Sequence, residues 1–443
     1  MLTVYSPSEK TNRLNYIAGH LFNNILGTEF FITSDKKFYL KQKTPCINYS
    51  ETELNHGLHI IPYGLLFETG IYPIKELKES EWKGLFCFFS NEKGDIPFDL
   101  FSASFYLLTL YEEHFPVELD EHNRFSHLES LLFRKGILEI PVVDRWAYLL
   151  KETLEKAGFQ TDDFKKRKYR VISTYDIDHP YLYRNKGLIK NIGGAIRDLL
   201  RGNLKDIEKR IKVQLRLKKD PYMTSIQTIH EIQSQLQRPY YLFILLGKKG
   251  KYGRSTLYST QSYYKYLKHL DLAQIGLHPS YDTFRNLKRL IKEKSKLESI
   301  LGRNVTISRQ HFLRMQNPDT FQDLLLAGIQ EDFSLAFSKA PGFRSGTAIP
   351  YFFYDLRKEE TTSLLIHPTI MMDTTLIRHL KFSPEAALQK IKELIDACKR
   401  SGGDFLSLWH NSNLAYIPEK NPWINVYLQS YKYAIALEEP HLS

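Results

Sequence analysis

The chain has 443 residues, 42% hydrophobic and 25% charged, an ordinary globular composition long enough for two or three domains. Its three cysteines, Cys46, Cys87 and Cys398, lie far apart without a CxxC pair, which argues against a disulfide framework and a thiolate metal site. A net charge of +11 calls for anionic partners such as phospholipid head groups, phosphorylated sugars or nucleic acid.

The first residues, MLTVYSPSEKTNRLNYIAGH, lack the charged start and apolar run of a signal peptide, and no stretch is apolar enough for a membrane helix, so a cytoplasmic location is expected. Short aromatic and β-branched runs follow (TEFFITSD, LHIIPYG, LFCFFS), mixed with amphipathic patterns in FDLFSASFYLLTLYEEHF and VVDRWAYLLKETLEK. They predict a mixed α/β domain over residues 1–160. His114, His122 and His127 stand in polar, loop-like sequence and read as surface residues. The polar stretch EKAGFQTDDFKKRK, residues 155–168, marks the expected boundary.

From residue 168 to 443 the rhythm becomes strand, loop, helix, repeated about seven times. The strand candidates are RVISTYDI, YYLFILLG, AQIGLHPS, VTISRQHF, EDFSLAFS, SLLIHPTIMM and DFLSLWHN. Apolar strands alternating with helices imply a parallel sheet with right-handed crossovers, and a βα barrel fits this length better than an open sheet. Between the first two strands, residues 184–219 hold far more Lys and Arg than Asp and Glu, with Leu188, Ile192, Ile196, Leu199 and Leu200 at helical spacing. Two readings stand: basic amphipathic helices in peripheral contact with an anionic membrane, or a solvated helix face over a core. No zinc finger, RNA-binding signature or glycine-rich phosphate loop accompanies them, so no nucleic-acid partner is expected.

In a parallel barrel the working residues gather at the carboxyl ends of the strands. The first candidate strand ends in Asp176, Asp178 and His179, the two carboxylates pointing the same way because they are two apart. The third ends in His278 with Asp282 four residues on, the fourth carries Arg309 and His311, and the last ends in His410 and Asn411. Imidazole plus carboxylate is a ligand set for zinc or a related divalent ion; a further carboxylate can take a proton from water and a further histidine can protonate a leaving amine. That combination suits amide hydrolysis. No HExxH helix or GxSxG elbow is present.

These motifs, in this order, resemble those of the polysaccharide deacetylases, the NodB-homology carbohydrate esterases built on a distorted seven-stranded (β/α) barrel. The resemblance covers roughly residues 168–415. It implies that TYDID supplies a catalytic base in Asp176 and a metal ligand in Asp178, displaced by one position from the family pattern. LHPSYD is similar to the HSxxH metal motif, which gives His278 as a ligand and places Asp282 where the second histidine would stand. SRQHF resembles RxPxG, so Arg309 would orient the base, with His311 in the place of the proline; SLWH implies that His410 is the general acid. The ligand set that follows is Asp178, His278 and either Asp282 or His311, with a weaker or different metal, or none, as the other outcomes. A variant deacetylase-like group with an extra N-terminal domain is similar in GLHPSY and in FRSGTAIPYFFYDL, where Arg344, Tyr351, Tyr354 and Asp355 could line a sugar pocket; a loop packed on the barrel is the other reading. His367 and Asp373, in IHPTIMMDTTL, rank below these segments.

The expected function is metal-dependent removal of an acetyl group from an N-acetylated sugar of a surface glycan or its precursor. The alternative is an inactive glycan-binding or assembly protein on a deacetylase scaffold, suggested by the broken histidine pair. A glycosidase would need a second carboxylate at a clear position, which the sequence does not offer.

Overall fold

A computed structural model describes residues 1–8, 11–185, 188–247, 252, 261–415 and 421–438. Residues 186 and 187 of the basic segment, and the side chains of 188–190, lie outside the described set.

The chain first builds a small parallel sheet from β1 (Leu2–Tyr5), β2 (Phe30–Thr33), β3 (Cys46–Tyr49) and β4 (Leu58–Ile60), in the order β2-β1-β3-β4. The helix Asn12–Ala18 crosses from β1 to β2; the Thr11 hydroxyl caps it by accepting from Leu14 N, and its apolar stripe of Leu14 and Ile17 is buried. A hairpin of β5 (Glu79–Trp82) and β6 (Leu85–Phe88) turns through Lys83 and Gly84, both at positive φ as a tight two-residue turn requires. The pattern FDLFSASFYLLTLYEEHF predicts one helix. It forms the buried helix Leu100–Leu108, capped by Asp99, and then breaks at Leu110 (φ 52°) before a single tight turn, Tyr111–His114.

The second sheet has nine strands: β7 (Arg170–Ile177), β8 (Tyr240–Leu245), β9 (Ala273–His278), β10 (Ile307–Ser308), β11 (Glu331–Asp332), β12 (Tyr351–Asp355), β13 (Glu360–Ile366), β14 (Met371–Met372) and β15 (Asp404–His410). Their order is β12-β13-β11-β10-β9-β8-β7-β15-β14, parallel throughout except that β12 runs antiparallel to β13. All seven predicted strand segments contribute. SLLIHPTIMM is the exception to one strand each, because it splits into β13, next to one edge, and β14, at the other edge. Met371 follows Ile366 by five positions, a span of at most about 18 Å. The two ends of the sheet therefore approach one another, and the sheet is curled into an incomplete barrel rather than laid out flat. Phe243, Ile307, Phe333 and Leu406 fill its interior.

The two sheets share one continuous hydrophobic core. Arg13, buried on the helix Asn12–Ala18, pairs with Glu359 in the β12–β13 turn and donates to Leu65 O at 2.8 Å, and Tyr16 Oη donates to Phe352 O on β12 at 2.8 Å. Asp144, on the helix Val142–Lys156, accepts from Ala348 N at 2.9 Å.

Candidate active site

Near the carboxyl end of strand β7, Asp176 is in register with His410 of β15, so neighbouring parallel strands bring a carboxylate and an imidazole to the same rim. Asp176 is buried and its Oδ1 accepts from Arg309 Nη1 at 3.0 Å. Arg309 is itself fully buried. Its guanidinium donates to Phe333 O (3.0 Å) and Thr369 Oγ1 (3.3 Å) and lies over the Phe243 ring at 4.6 Å, so three directions of contact fix it beneath the carboxylate.

Two positions on, Asp178 meets two imidazoles. His278, at the end of β9, places Nε2 at 3.3 Å from Asp178 Oδ1 and 3.6 Å from Asp176 Oδ2. His311, in the turn after β10, places Nε2 at 3.6 Å from the same Asp178 oxygen. That turn holds Phe312 and Leu313 at φ 63° and 50°, a conformation that non-glycine residues adopt only when their surroundings enforce it. Arg124, from the N-terminal half of the chain, supplies the enforcement by donating to Phe312 O.

The donor set fits a divalent cation. His278 Nδ1 lies 2.6 Å from the Arg309 carbonyl, which can only accept, so Nδ1 carries the proton and Nε2 presents a lone pair toward Asp178. Facing lone pairs repel unless a positive charge lies between them. Asp178 Oδ1 and His278 Nε2 are both buried without a hydrogen-bond partner among the described residues. Ligand atoms of Asp178, His278 and His311 all lie within 4.8 Å of one another. The electrostatics point the same way. Burial would raise the Asp178 carboxyl, but the imidazoles of His278, His311 and His410 around it outweigh burial and hold it far below the usual range. Burial lowers His311 to about 4, against the opposing pull of Asp178, so it is a neutral imidazole able to ligate near neutral pH.

His410 belongs to a second cluster. Its Nδ1 is 2.7 Å from Asp373 Oδ1, its backbone N–H donates to Asp373 Oδ2 at 2.7 Å, and Asn413 Nδ2 donates to the same oxygen at 2.9 Å. Burial disfavours the imidazolium, yet the Asp373 carboxylate outweighs it and His410 is raised to about 10. Asp176, Asp178, His311 and His410 line one cavity of about 280 Å³, which Arg124 and Arg378 also border.

Several expected positions fall elsewhere. Asp282 is not in the ligand cluster: the chain after His278 turns through Tyr281–Thr283 and directs Asp282 to Arg289 at 3.3 Å. Arg344 is buried against Glu113 at 2.7 Å and stacks on Phe337, bordering a separate small cavity of about 120 Å³. Tyr351 packs edge-on against His20, Tyr354 donates to Glu359 at 3.0 Å, and Asp355 accepts from Gln322 at 2.8 Å. The expected sugar-pocket residues thus sit inside packed contacts, three of them where the N-terminal half meets the second sheet. His122 is not a plain surface residue: it borders the 280 Å³ cavity beside Phe312, while His114 bonds Asn317 and His127 packs on Phe133. Asp373 outranks its place in the sequence reading. His367 does not; it stacks on Phe333 and bonds Glu331 at 2.8 Å.

The family of unknown function DUF7033 matches residues 2–158. No curated protein matches the chain. Among solved structures, the chain is similar to a Mycobacterium smegmatis protein assigned as a polysaccharide deacetylase, with 14% identity and a TM-score of 0.40 over 61% of this chain and 85% of that one. It is similar also to Puue allantoinase (11%, TM-score 0.39, 60% and 84%) and to the 4-alpha-glucanotransferase of Thermococcus litoralis (12%, 0.35, 61% and 38%). None of these likenesses reaches the level at which a function transfers.

Among the described residues, no helix is long and apolar enough to cross a membrane.

Proposed function

We propose that the protein is a hydrolase that removes the acetyl group from an N-acetylated sugar of a surface glycan or its precursor. The observation that carries this reading is one cavity lined by Asp176, Asp178, His311 and His410, with Arg309 behind Asp176, His278 behind Asp178 and Asp373 behind His410. A divalent cation held by Asp178, His278 and His311, with zinc suited to such a set, would polarise the acetyl carbonyl and acidify water.

The chain's own residues do the rest. Arg309 occupies Asp176 Oδ1 and leaves Oδ2 to accept a proton from the attacking water. The water oxygen bonds to the acetyl carbon as the carbon–nitrogen bond breaks. His410, protonated through Asp373 on Nδ1, donates from Nε2 to the departing nitrogen, which leaves as an amine while acetate forms. The order of motifs along the chain supports a sugar amide as the substrate. A glycan-binding role without turnover drew on the histidine missing from LHPSYD; His311 supplies an imidazole in that place.

The test begins with metal content after zinc loading, compared between the wild type and His278→Ala. About one ion per chain is expected in the wild type, and loss of it in the variant. Acetate release from a panel of N-acetylated sugars should then vanish in both Asp176→Asn and His410→Ala. Saturable sugar binding with no metal and no acetate would replace this reading with the binding protein.

A further inference from the structure

Residues 188–214 form a helical hairpin, Leu188–Leu200 and Leu204–Gln214, inserted between the carboxyl end of β7 and the helix Pro221–Gln235 that leads to β8. An internal clamp holds its two helices together. Arg210 is buried, bonds Asp198 at 2.6 Å and Asn191 at 3.3 Å, and lies over the Tyr183 ring at 4.7 Å. Gly194 makes room for it: a Cβ there would meet the guanidinium at 2.7 Å.

With Arg210 and Asp198 turned inward to this clamp, most of the large apolar residues face out, Val213 alone being buried among the described ones. Ile192, Ile196, Leu199 and Leu200 lie on one stripe of the first helix and are 53–82% exposed. Leu204, Ile211 and Leu215 form a matching stripe on the second, at 52–66%. This inverts the usual arrangement, in which such a stripe seats a helix on its core. Arg197, Arg201, Lys205, Arg216, Lys218 and Lys219 are exposed around it, against Glu208 as the exposed acid among the described residues of the segment.

We infer that this hairpin docks the protein on an anionic phospholipid surface, lying in the plane of the interface. Large aliphatic side chains projecting from a helix that is otherwise polar and cationic insert among acyl chains while Lys and Arg meet the head groups. Charge complementarity selects this occupant: an apolar protein partner would not call for a ring of cations, and a second copy would set this ring against its own like charges. No trans-membrane span is needed.

Sedimentation of the full chain with phosphatidylcholine vesicles, with and without phosphatidylglycerol, tests this directly. Binding is expected to the anionic vesicles and to fall as salt rises. Leu199→Glu with Leu200→Glu should weaken it at least about tenfold, and so should Arg201→Glu with Lys205→Glu. All four positions are exposed, so folding should persist, which circular dichroism checks. Absence of binding to anionic vesicles at low salt, or binding unchanged in the paired variants, would overturn the inference. So would a wild type that self-associates without vesicles while the leucine variant stays monomeric and neither binds lipid, since the stripe would then be a protein interface. No sugar substrate enters the measurement, so its outcome is independent of the hydrolase reading.

Discussion

Asp373 sets the chemistry of His410 from one bond away. A histidine raised to about 10 stays protonated, and so able to donate, at every pH below that value. Removing the Asp373 charge lowers the pKa toward the ordinary imidazole range, so the protonated form is lost at lower pH. Asp373→Asn is therefore expected to move the alkaline limb of kcat/KM down from near 10 toward about 6.5, read from a pH–rate profile; an unmoved limb would mean that another group donates the proton. In the sequence, Asp176, Asp178, His278, Arg309 and His410 stand out because each falls at or just past the end of a recognisable strand. It could not choose between Asp282 and His311. Asp282 is near His278 along the chain, whereas His311 is near it only across the β9–β10 pairing, and a turn of a few residues decides which one faces inward. Arg344 and the tyrosines of FRSGTAIPYFFYDL failed for a different reason. Charged and aromatic side chains bounded by proline look the same in sequence whether they line a pocket or a packed contact.

At the level of elements, the strand rhythm from residue 168 onward was legible because apolar runs and intervening helices alternate so regularly. The division of SLLIHPTIMM was not, since no residue in it breaks a strand decisively except Pro368, and only the curl of the sheet makes the chain cross to the far edge there. The break after Leu108 was equally hidden, as the apolar period continues through it. Asp99 shows how one polar residue fixes an element: its carboxylate caps the helix Leu100–Leu108 through Ser102 N (3.0 Å) and also accepts from Tyr49 Oη (2.8 Å) and Tyr63 N (2.7 Å). Asp99→Ala loses the cap and strands the buried Tyr49 hydroxyl and the partly buried Tyr63 N–H, so a loss of about 3 kcal/mol in stability is expected by urea denaturation. A loss below about 1 kcal/mol would show that these donors find other partners.

Across the whole molecule, the contact between the N-terminal half and the second sheet is made of buried charge as well as apolar surface. Arg344 and Glu113 are both almost fully enclosed and joined by paired hydrogen bonds, and burial raises the glutamate's pKa even though the arginine opposes it. Glu113→Ala leaves a buried cation without its partner, which costs about 3–5 kcal/mol. Because the core is continuous, thermal unfolding followed separately by tryptophan fluorescence and far-ultraviolet circular dichroism should shift together in this variant. Two separated transitions would show that the halves melt independently.

The bond from Tyr16 to the Phe352 carbonyl has a further consequence. Strand β12 forms one margin of the nine-stranded sheet, and a bare margin is a template on which other chains add strands. The helix carrying Tyr16 and Arg13 lies over that margin and ties its carbonyl and its turn. Without the first 160 residues, β12 would present open backbone groups to every neighbouring copy. The N-terminal half thus also serves as a shield against aggregation, and a fragment beginning at β7 would precipitate through edge-to-edge pairing even with its cavity residues intact.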